Sequence, residues 1–418
     1  MTLVLTMMVR DEADIIAATI EHHLAEGVDR ILVTDNGSSD GTRDILEEYS
    51  RVAPVTVFDD PEHRKQQHLV VTRMARLAYT EFGADWVING DADEFVRAVD
   101  PALSLRTVFD RMPKAIGAIE VPVVNLVGPM ARRGVGLHRL VHRDERSVQQ
   151  LQDAGLLAHP TPNAIHVGSP DVEVAQGNHF VSVERRGDPP EALELEVLHL
   201  PWRSFAQLER KTGNAGRAYE ANPELRPSPN HHGMRDWRRL KAGVLDDFIA
   251  LRSLTGEDLD HGGYRLDTSL EERLVELEHR AVLPARLRAC LEDTDDIPVP
   301  DAEINGMRAR SRSLAALEAV LYEHASVFQR EVEELHGHLG RVLADRDRIA
   351  AEAEAAAASA AERLDSLGAT AAARDARLHE LEAELRSSRA RLERIDRHPL
   401  VRARRLLVGA AARLRRGR

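Results

Sequence analysis

Apolar runs and helix-period segments alternate through the first hundred residues. Leu3–Val9 reads as a strand. After it, Ile15, Ile16, Ile20, His23 and Leu24 fall on one side of a helix that Asp11 or Asp14 is placed to cap and Gly27 to end. A second strand, 30–34, runs into the turn-rich stretch 35–42 and then a helix over 43–49, with Asp40 its expected cap. Residues 54–58 form a third strand. Residues 66–82 form a helix whose inner face is Leu69, Val70, Met74, Leu77 and Ala78, and a fourth strand starts at Trp86. Strands alternating with helices through short loops predict an α/β fold built on a doubly wound, mostly parallel sheet. The loops after strands one, two and four then open at one edge, so Arg10-Asp11, Asp35-Asn36 and the acids from Asp91 to Glu94 should share a cleft.

The fourth strand and its continuation, WVINGDADEF at 86–95, hold the chemistry. The run begins apolar and ends in three acids within four residues, Asp91, Asp93 and Glu94. Unpaired carboxylates are too costly to bury, so such a run belongs at the mouth of a sheet. Two aspartates one residue apart can hold a hard divalent cation, which in turn holds a diphosphate. An acid after strand two is placed to accept from a base or ribose hydroxyls, and Arg10 to offset phosphate charge. The ordinary alternatives are a solvated acidic loop for Asp91 and Asp93, and an N-cap or Asx turn for Asp35. No G-x-G-x-x-G follows strand one and there is no Walker lysine, which excludes dinucleotide dehydrogenases and P-loop kinases.

TDNGSSDGT at 34–42 resembles the D-x-S-x-D-G-T signature of the family 2 glycosyltransferases, and WVINGDADEF resembles the W-x4-D-x-D-E-F form of their metal motif. The opening Arg10-Asp11-Glu12-Ala13, followed by His23 and Gly27-Val28-Asp29, is similar to the start of the branch that carries this form. The resemblance covers about residues 1–97 and is patchy to about 245. It implies a GT-A-like fold, a nucleotide-diphosphate sugar as donor and Mn²⁺ or Mg²⁺ as cofactor. It places Asp35 on the nucleoside, Asp91 near the ribose or metal and Asp93 on the metal. A later element, His199 followed by Arg203-Ser204 and Lys211, is similar to the family's H-x-x-x-R-S helix start. By that likeness His199 is a third metal ligand and Arg203 and Lys211 are phosphate contacts, against a satisfied strand-end histidine as the alternative. The resemblance favours inversion, which needs a general base. Glu94 is the first candidate, equally readable as a residue that orients the loop; Asp144, Asp171 and Glu173 are alternatives.

The middle is less regular. Residues 115–127 are β-branched and continue the sheet, 136–141 alternate as a strand, 149–171 lack a period and read as a long loop, 172–183 suggest a strand, and 193–200 form another. Beyond about 300 the composition changes. Leu321, Ala325, Phe328, Val332, Leu335, Leu339, Val342, Arg346, Ile349 and Ala353 keep 4-3 spacing, and so, in shifted phase, do Leu364, Leu367, Ala371, Arg374, Leu378, Leu381, Leu385, Ser388, Leu392 and Ile395. This is the mark of a coiled coil and hence of a homo-oligomer, weakened by its Ala, Arg and Ser core positions. A single long helix or a hairpin turning near Gly368 are the alternatives. The expected divisions are a glycosyltransferase-like domain at 1–245, a helical linker at 246–310, a coiled coil at 311–396 and a basic amphipathic tail at 397–418.

Charge and cysteine content narrow the function. The net charge is −13 although the last 22 residues hold eight arginines and no acid, so the body is more acidic still and nucleic acid is not its expected partner. The tail is basic and amphipathic, suited to peripheral contact with an anionic membrane surface. One cysteine, Cys290, forbids an internal disulfide, and no apolar run spans a bilayer; the expectation is a cytoplasmic protein. The functional expectation is transfer of a sugar to a hydroxyl of a glycan or glycolipid. The competing readings are a non-catalytic coiled-coil assembly protein and a sugar nucleotidyltransferase. The latter lacks the glycine-rich basic loop it would need after strand one.

Overall fold

The computed structural model describes residues 1–62, 67–156, 161–222, 232–360 and 368–397. It divides into two units, Met1–Ala309 and Arg310–Arg418. The basic segment from 398 onward lies outside the described residues.

The first unit opens with β1 (Leu3–Val9), α1 (Ile16–Ala25), β2 (Arg30–Asp35), α2 (Thr42–Val52), β3 (Val55–Asp59), α3 (Gln67–Thr80) and β4 (Trp86–Gly90). These four strands are parallel to one another, in the order β3-β2-β1-β4. Their apolar runs are buried on both faces: Leu3, Leu5, Met7 and Val9 pack toward α1 and α2, while Val4 and Leu32 pack toward α3. On α3 the buried residues are Val70, Val71, Met74, Ala75 and Ala78; Leu69, expected inside, is exposed.

The chain then forms β5 (Glu94–Ala98), α4 (Leu105–Arg111), β6 (Ala118–Val121), β7 (Val123–Val127), β8 (His142–Asp144), α5 (Val148–Asp153), β9 (Asn163–Val167) and β10 (Leu195–His199). Pro122, which has no N–H to donate to a ladder, divides the run 115–127 into two strands. β6 joins the first sheet, and β7 joins a second sheet in the order β8-β7-β10-β5, to which the later strand Tyr264–Leu266 adds at the β8 edge. Antiparallel β9 links β4 to β6, so the long loop expected at 149–171 in fact contains α5 and a central strand. In return, no strand forms at 136–141, where Gly134 and Gly136 adopt positive φ and Arg139 and Leu140 close back onto Gly136. The strand suggested at 172–183 is a hairpin with one bridge, Val174 to Val181.

The unit closes with α6 (Phe205–Glu220), α7 (His232–Ala242), α8 (Leu245–Ile249), α9 (Gly256–His261), β11 (Tyr264–Leu266), α10 (Ser269–Leu277) and α11 (Pro284–Leu291). Ser204 caps α6 through the Gln207 N–H, as expected. α10 and α11 add Leu270, Leu274, Leu277 and Leu287 to the same core that α1 lines.

α12 (Asp301–Ala360) starts in the first unit and runs into the second, where it meets α13 (Gly368–Asp396). Val342 packs on Leu381 and Leu385, Glu352 pairs with Arg374 and Glu331 with Arg391, so the two helices run antiparallel. The 4-3 seam thus pairs two helices of one chain, as in the hairpin alternative. Among the described residues no helix is long and apolar enough to cross a membrane.

Candidate active site

β1, β2 and β4 end side by side, with Val9 in register with Asp35 and Met7 with Gly90. Beyond those ends Arg10, Asp11, Asn36, Asp91 and Asp93 line a cleft of about 220 Å³. The opposite wall is α6, which presents Gln207, Arg210, Lys211 and Asn214. These positions follow i, i+3, i+4, i+7 spacing, which is one face of a helix.

The loop after β1 is bent to fit between its neighbours. Asp11 has φ 55°, unusual for a residue with a side chain. Its carboxylate accepts from the Ser39 N–H at 2.7 Å and from the Asn214 amide at 2.7 Å. Burial alone would raise its pKa; those hydrogen bonds and Arg10 outweigh it and hold the group low. The expected capping of α1 is absent: its N-cap is Ile15, with no side-chain bond. The Asp11 and Asp14 carboxylates are taken instead by Ser39 and Asn214 and by Arg203. Asp40 comes nearer its expected role, accepting from the Thr42 N–H at the start of α2.

Asp91 and Asp93 sit in different polar surroundings. Asp91 Oδ1 accepts from Gln67 Nε2 at 2.9 Å and Asn178 Nδ2 at 3.1 Å. Asp93 is buried, with Oδ2 at 2.6 Å from Lys211 Nζ and 3.3 Å from Arg203 Nη1, and Oδ1 at 3.6 Å from His199 Nε2. Burial would raise the Asp93 pKa, but Lys211, His199 and Arg203 together hold it well below the usual carboxylate range. His199 completes its contacts with Asn125 through Nδ1 at 3.0 Å.

The structure separates residues that the sequence had grouped. Arg10, Asp91, Asp93 and Lys211 line the cleft. Asp35 is buried beside it and closes its own turn, accepting from the Ser38 N–H at 3.2 Å. Arg203 has no exposed surface and is surrounded by Glu12, Asp14 and Asp93, so a phosphate has no access to it. Glu94 is buried, and its Oε2 accepts from the Asp91 N–H at 3.0 Å and Asn163 Nδ2 at 2.7 Å. That geometry orients the acidic loop. Burial and the neighbouring Asp91 charge raise its pKa to about 7. Of the alternative bases, Asp144 is chelated by Arg146, and Asp171 and Glu173 lie on the surface.

The residues present do not fit a divalent cation as they stand. Among the described residues, no group of three or more His, Cys, Asp or Glu side chains is disposed to hold one. Asp93 already faces two protein cations, and Asp91 Oδ1 is taken by two amides.

Sequence reasoning missed Gln207, Arg210, Asn214, Gln67 and Asn178. The α6 stripe was readable from its helical spacing. Gln67 and Asn178 carry no local signal, since only the tertiary fold brings them to Asp91.

Residues 5–99, from β1 into the turn after β5, match the family model Glycosyl transferase family 2. No curated protein matches the chain. Similar solved structures include S. aureus TarS 1-349, at 10% identity and a TM-score of 0.31, over 70% of this chain and 90% of that one. Another is S. aureus TarS 1-349 in complex with UDP-GlcNAc, at 10% identity and a TM-score of 0.31, over 66% of this chain and 92% of that one. Likenesses this slight carry neither ligand nor chemistry to this chain.

Proposed function

We propose that the first unit is a GT-A-like glycosyltransferase that moves a sugar from a nucleotide-diphosphate donor to a hydroxyl of a glycan or glycolipid, with inversion. The observation that supports this reading is the coincidence of the family match with a cleft at the carboxyl ends of β1, β2 and β4, where Asp91 and Asp93 stand opposite the basic face of α6. A donor in this cleft lays its nucleoside toward Asp35 and Asn36 and its diphosphate between Arg10 and α6. The acceptor oxygen then forms a bond to the anomeric carbon as the bond from that carbon to the diphosphate breaks. The acceptor's proton passes to a general base. The chain's own contribution is to fix the donor and to oppose the charge growing on the leaving diphosphate, usually the largest electrostatic task in such a reaction. The carboxylates of Asp91 and Asp93 are engaged by protein groups, so opposing the diphosphate's charge falls to Arg10 and the basic face of α6.

The test is a thermal-shift panel of nucleoside diphosphates and nucleotide sugars, each in EDTA and in Mn²⁺. A ligand that binds the native state raises the melting temperature by mass action. One nucleoside series is expected to do so, and chromatography of the matching sugar nucleotide incubated with the protein should show release of the nucleoside diphosphate. If no nucleotide shifts the melting temperature in either condition, the transferase reading is wrong.

A further inference from the structure

α6 carries two cations toward Asp93, and they are held in opposite ways. Arg203, just before the helix, is inaccessible to solvent and hydrogen-bonded to Asp14 through Nε at 2.8 Å and Nη2 at 3.1 Å, with Glu12 and Asp93 also against it. It cannot leave without depriving Glu12 and Asp14 of their closest cation. Lys211 is tied to Asp93 by its ammonium alone, and its side chain is 44% exposed along the cleft. If Lys211 turned away, Asp93 would still face Arg203 at 3.3 Å and His199 at 3.6 Å. The Asp93 carboxylate is therefore provided for twice, and Lys211 is the dispensable partner.

A second observation points to what Lys211 turns toward. One helical turn away, Gln207 is 3% exposed and lines the same cleft. Its Oε1 accepts from the Arg203 N–H, but its buried Nε2 has no partner among the described residues. A buried amide donor left unmade costs free energy, so its presence suggests an acceptor that arrives with a ligand. Arg210, on the same face, reaches only to 3.7 Å from Asp14. The donors of Gln207, Arg210 and Lys211 are thus presented together along one face, opposite a cleft floor lined with carboxylates. A diphosphate entering here meets repulsion from Asp93 and Asp91 unless a cation intervenes.

Resting on the donor reading above, we propose that Lys211 is a tethered counter-cation. It neutralises Asp93 when no anion is bound, and it swings onto the diphosphate of the donor when that binds, where Gln207 and Arg210 complete the anion's contacts. The flexible lysine stem and compact ammonium suit an exchange that the fixed fork of Arg203 does not.

The proposal makes Asp93 a competitor of the diphosphate for Lys211, and that is measurable without metal. Inorganic pyrophosphate, and the nucleoside diphosphate found by thermal shift, are titrated calorimetrically in EDTA into wild type, Asp93→Asn, Lys211→Met and Lys211→Arg. Lys211→Met is expected to weaken binding about tenfold or more, the loss of one charge-assisted contact. Asp93→Asn is expected to tighten binding about tenfold, because Lys211 no longer has a carboxylate to leave. Lys211→Arg should weaken binding by about threefold or more although the charge is kept, since the guanidinium fork grips Asp93 more firmly and gives it up less readily. Melting temperatures show whether each variant is folded; should Lys211→Met unfold, the Asp93→Asn result decides by itself. Unchanged or weaker binding by Asp93→Asn in EDTA overturns the exchange. So does binding that needs Mn²⁺ and ignores Lys211, and either result leaves the donor reading standing. Failure of wild type to bind any nucleoside diphosphate, with or without Mn²⁺, removes the donor reading and this inference with it.

Discussion

Arg203 and Asp14 are 189 residues apart in the chain, yet the guanidinium holds the carboxylate with two hydrogen bonds, at 2.8 and 3.1 Å. This pair fastens the entry of α6 to the loop after β1, the two walls of the cleft. Arg203 has no exposed surface and also faces Glu12 and Asp93. Removing one partner of a buried ion pair costs about 3–5 kcal/mol, because the other charge is left without compensation. Arg203→Met should therefore lower the urea midpoint sharply. Arg203→Lys should recover little, since a single ammonium cannot reproduce the paired geometry. A near-wild-type midpoint for Arg203→Lys would show that the arginine supplies charge alone.

Glu94 offers a test between orienting and proton-accepting roles. Its Oε2 accepts from the Asp91 N–H and from Asn163. Glutamine keeps an acceptor oxygen there; alanine leaves two buried donors unpaired, at about 1–3 kcal/mol each. If Glu94 positions the Asp91 loop, Glu94→Gln should keep much of the transfer rate while Glu94→Ala loses both rate and stability. Were Glu94 the general base, Gln and Ala would be equally inactive. Comparing kcat of the two variants against their melting temperatures separates the cases.

The parallel part of the fold was legible because its strands are buried on both faces and its helices show one apolar stripe, as in Leu3–Val9 and in Val70, Met74 and Ala78. The cleft was legible for the same reason: the sheet's topology dictates where β1, β2 and β4 end. What escaped was decided by tertiary contact. Asn163–Val167 looks like loop sequence, yet it sits between β4 and β6 with Asn163 against Glu94. Asp14 reads as a helix cap, and Arg203 reads as an anion ligand, until the fold brings each to the other. The 4-3 spacing of Leu381 and Leu385 announces a helical partner without saying that Val342 of the same chain provides it.

Two histidines of α1 make the first unit sensitive to acid. His22 Nε2 lies 2.8 Å from the Val96 carbonyl, and the buried His22 Nδ1 has no partner among the described residues. His23 accepts from the Val96 N–H at Nε2, so its Nδ1–H donates to the Thr19 carbonyl. Burial pushes His22 down to about 4 and His23 down to about 3 from the usual 6.5. Both groups are neutral in the folded state and protonate more readily in the unfolded chain. Their contribution is therefore whole above pH 6.5 and shrinks as pH falls toward 4 and 3. Between pH 7 and 5 the expected loss is on the order of 2 kcal/mol per histidine. The raised Glu94 carboxyl works in the opposite direction over the same window, so the difference between wild type and His23→Gln in urea unfolding at both pH values measures the histidine's share. His23→Gln should flatten the pH dependence; an unchanged slope would mean that other groups set it.

Gly216 on α6 lets α7 approach closely. A Cβ built there would lie 2.2 Å from the nearest atom of the Trp237 ring, far inside contact distance and against a rigid aromatic that cannot fold away. Trp237 is itself held, its Nε1–H donating to Glu220 at 2.8 Å and its ring lying under the Lys241 ammonium. Alanine at an exposed helical position stabilises by up to about 1 kcal/mol relative to glycine. At Gly216 the clash should reverse the sign, overpacking costing about 1–3 kcal/mol. Because α6 also carries Gln207, Arg210 and Lys211, the displacement should reach the cleft wall as well. Gly216→Ala is expected to lower the melting temperature, alter Trp237 fluorescence and weaken pyrophosphate binding together. A variant as stable as wild type, with unchanged fluorescence, would mean that α6 and α7 are packed less closely than this contact requires.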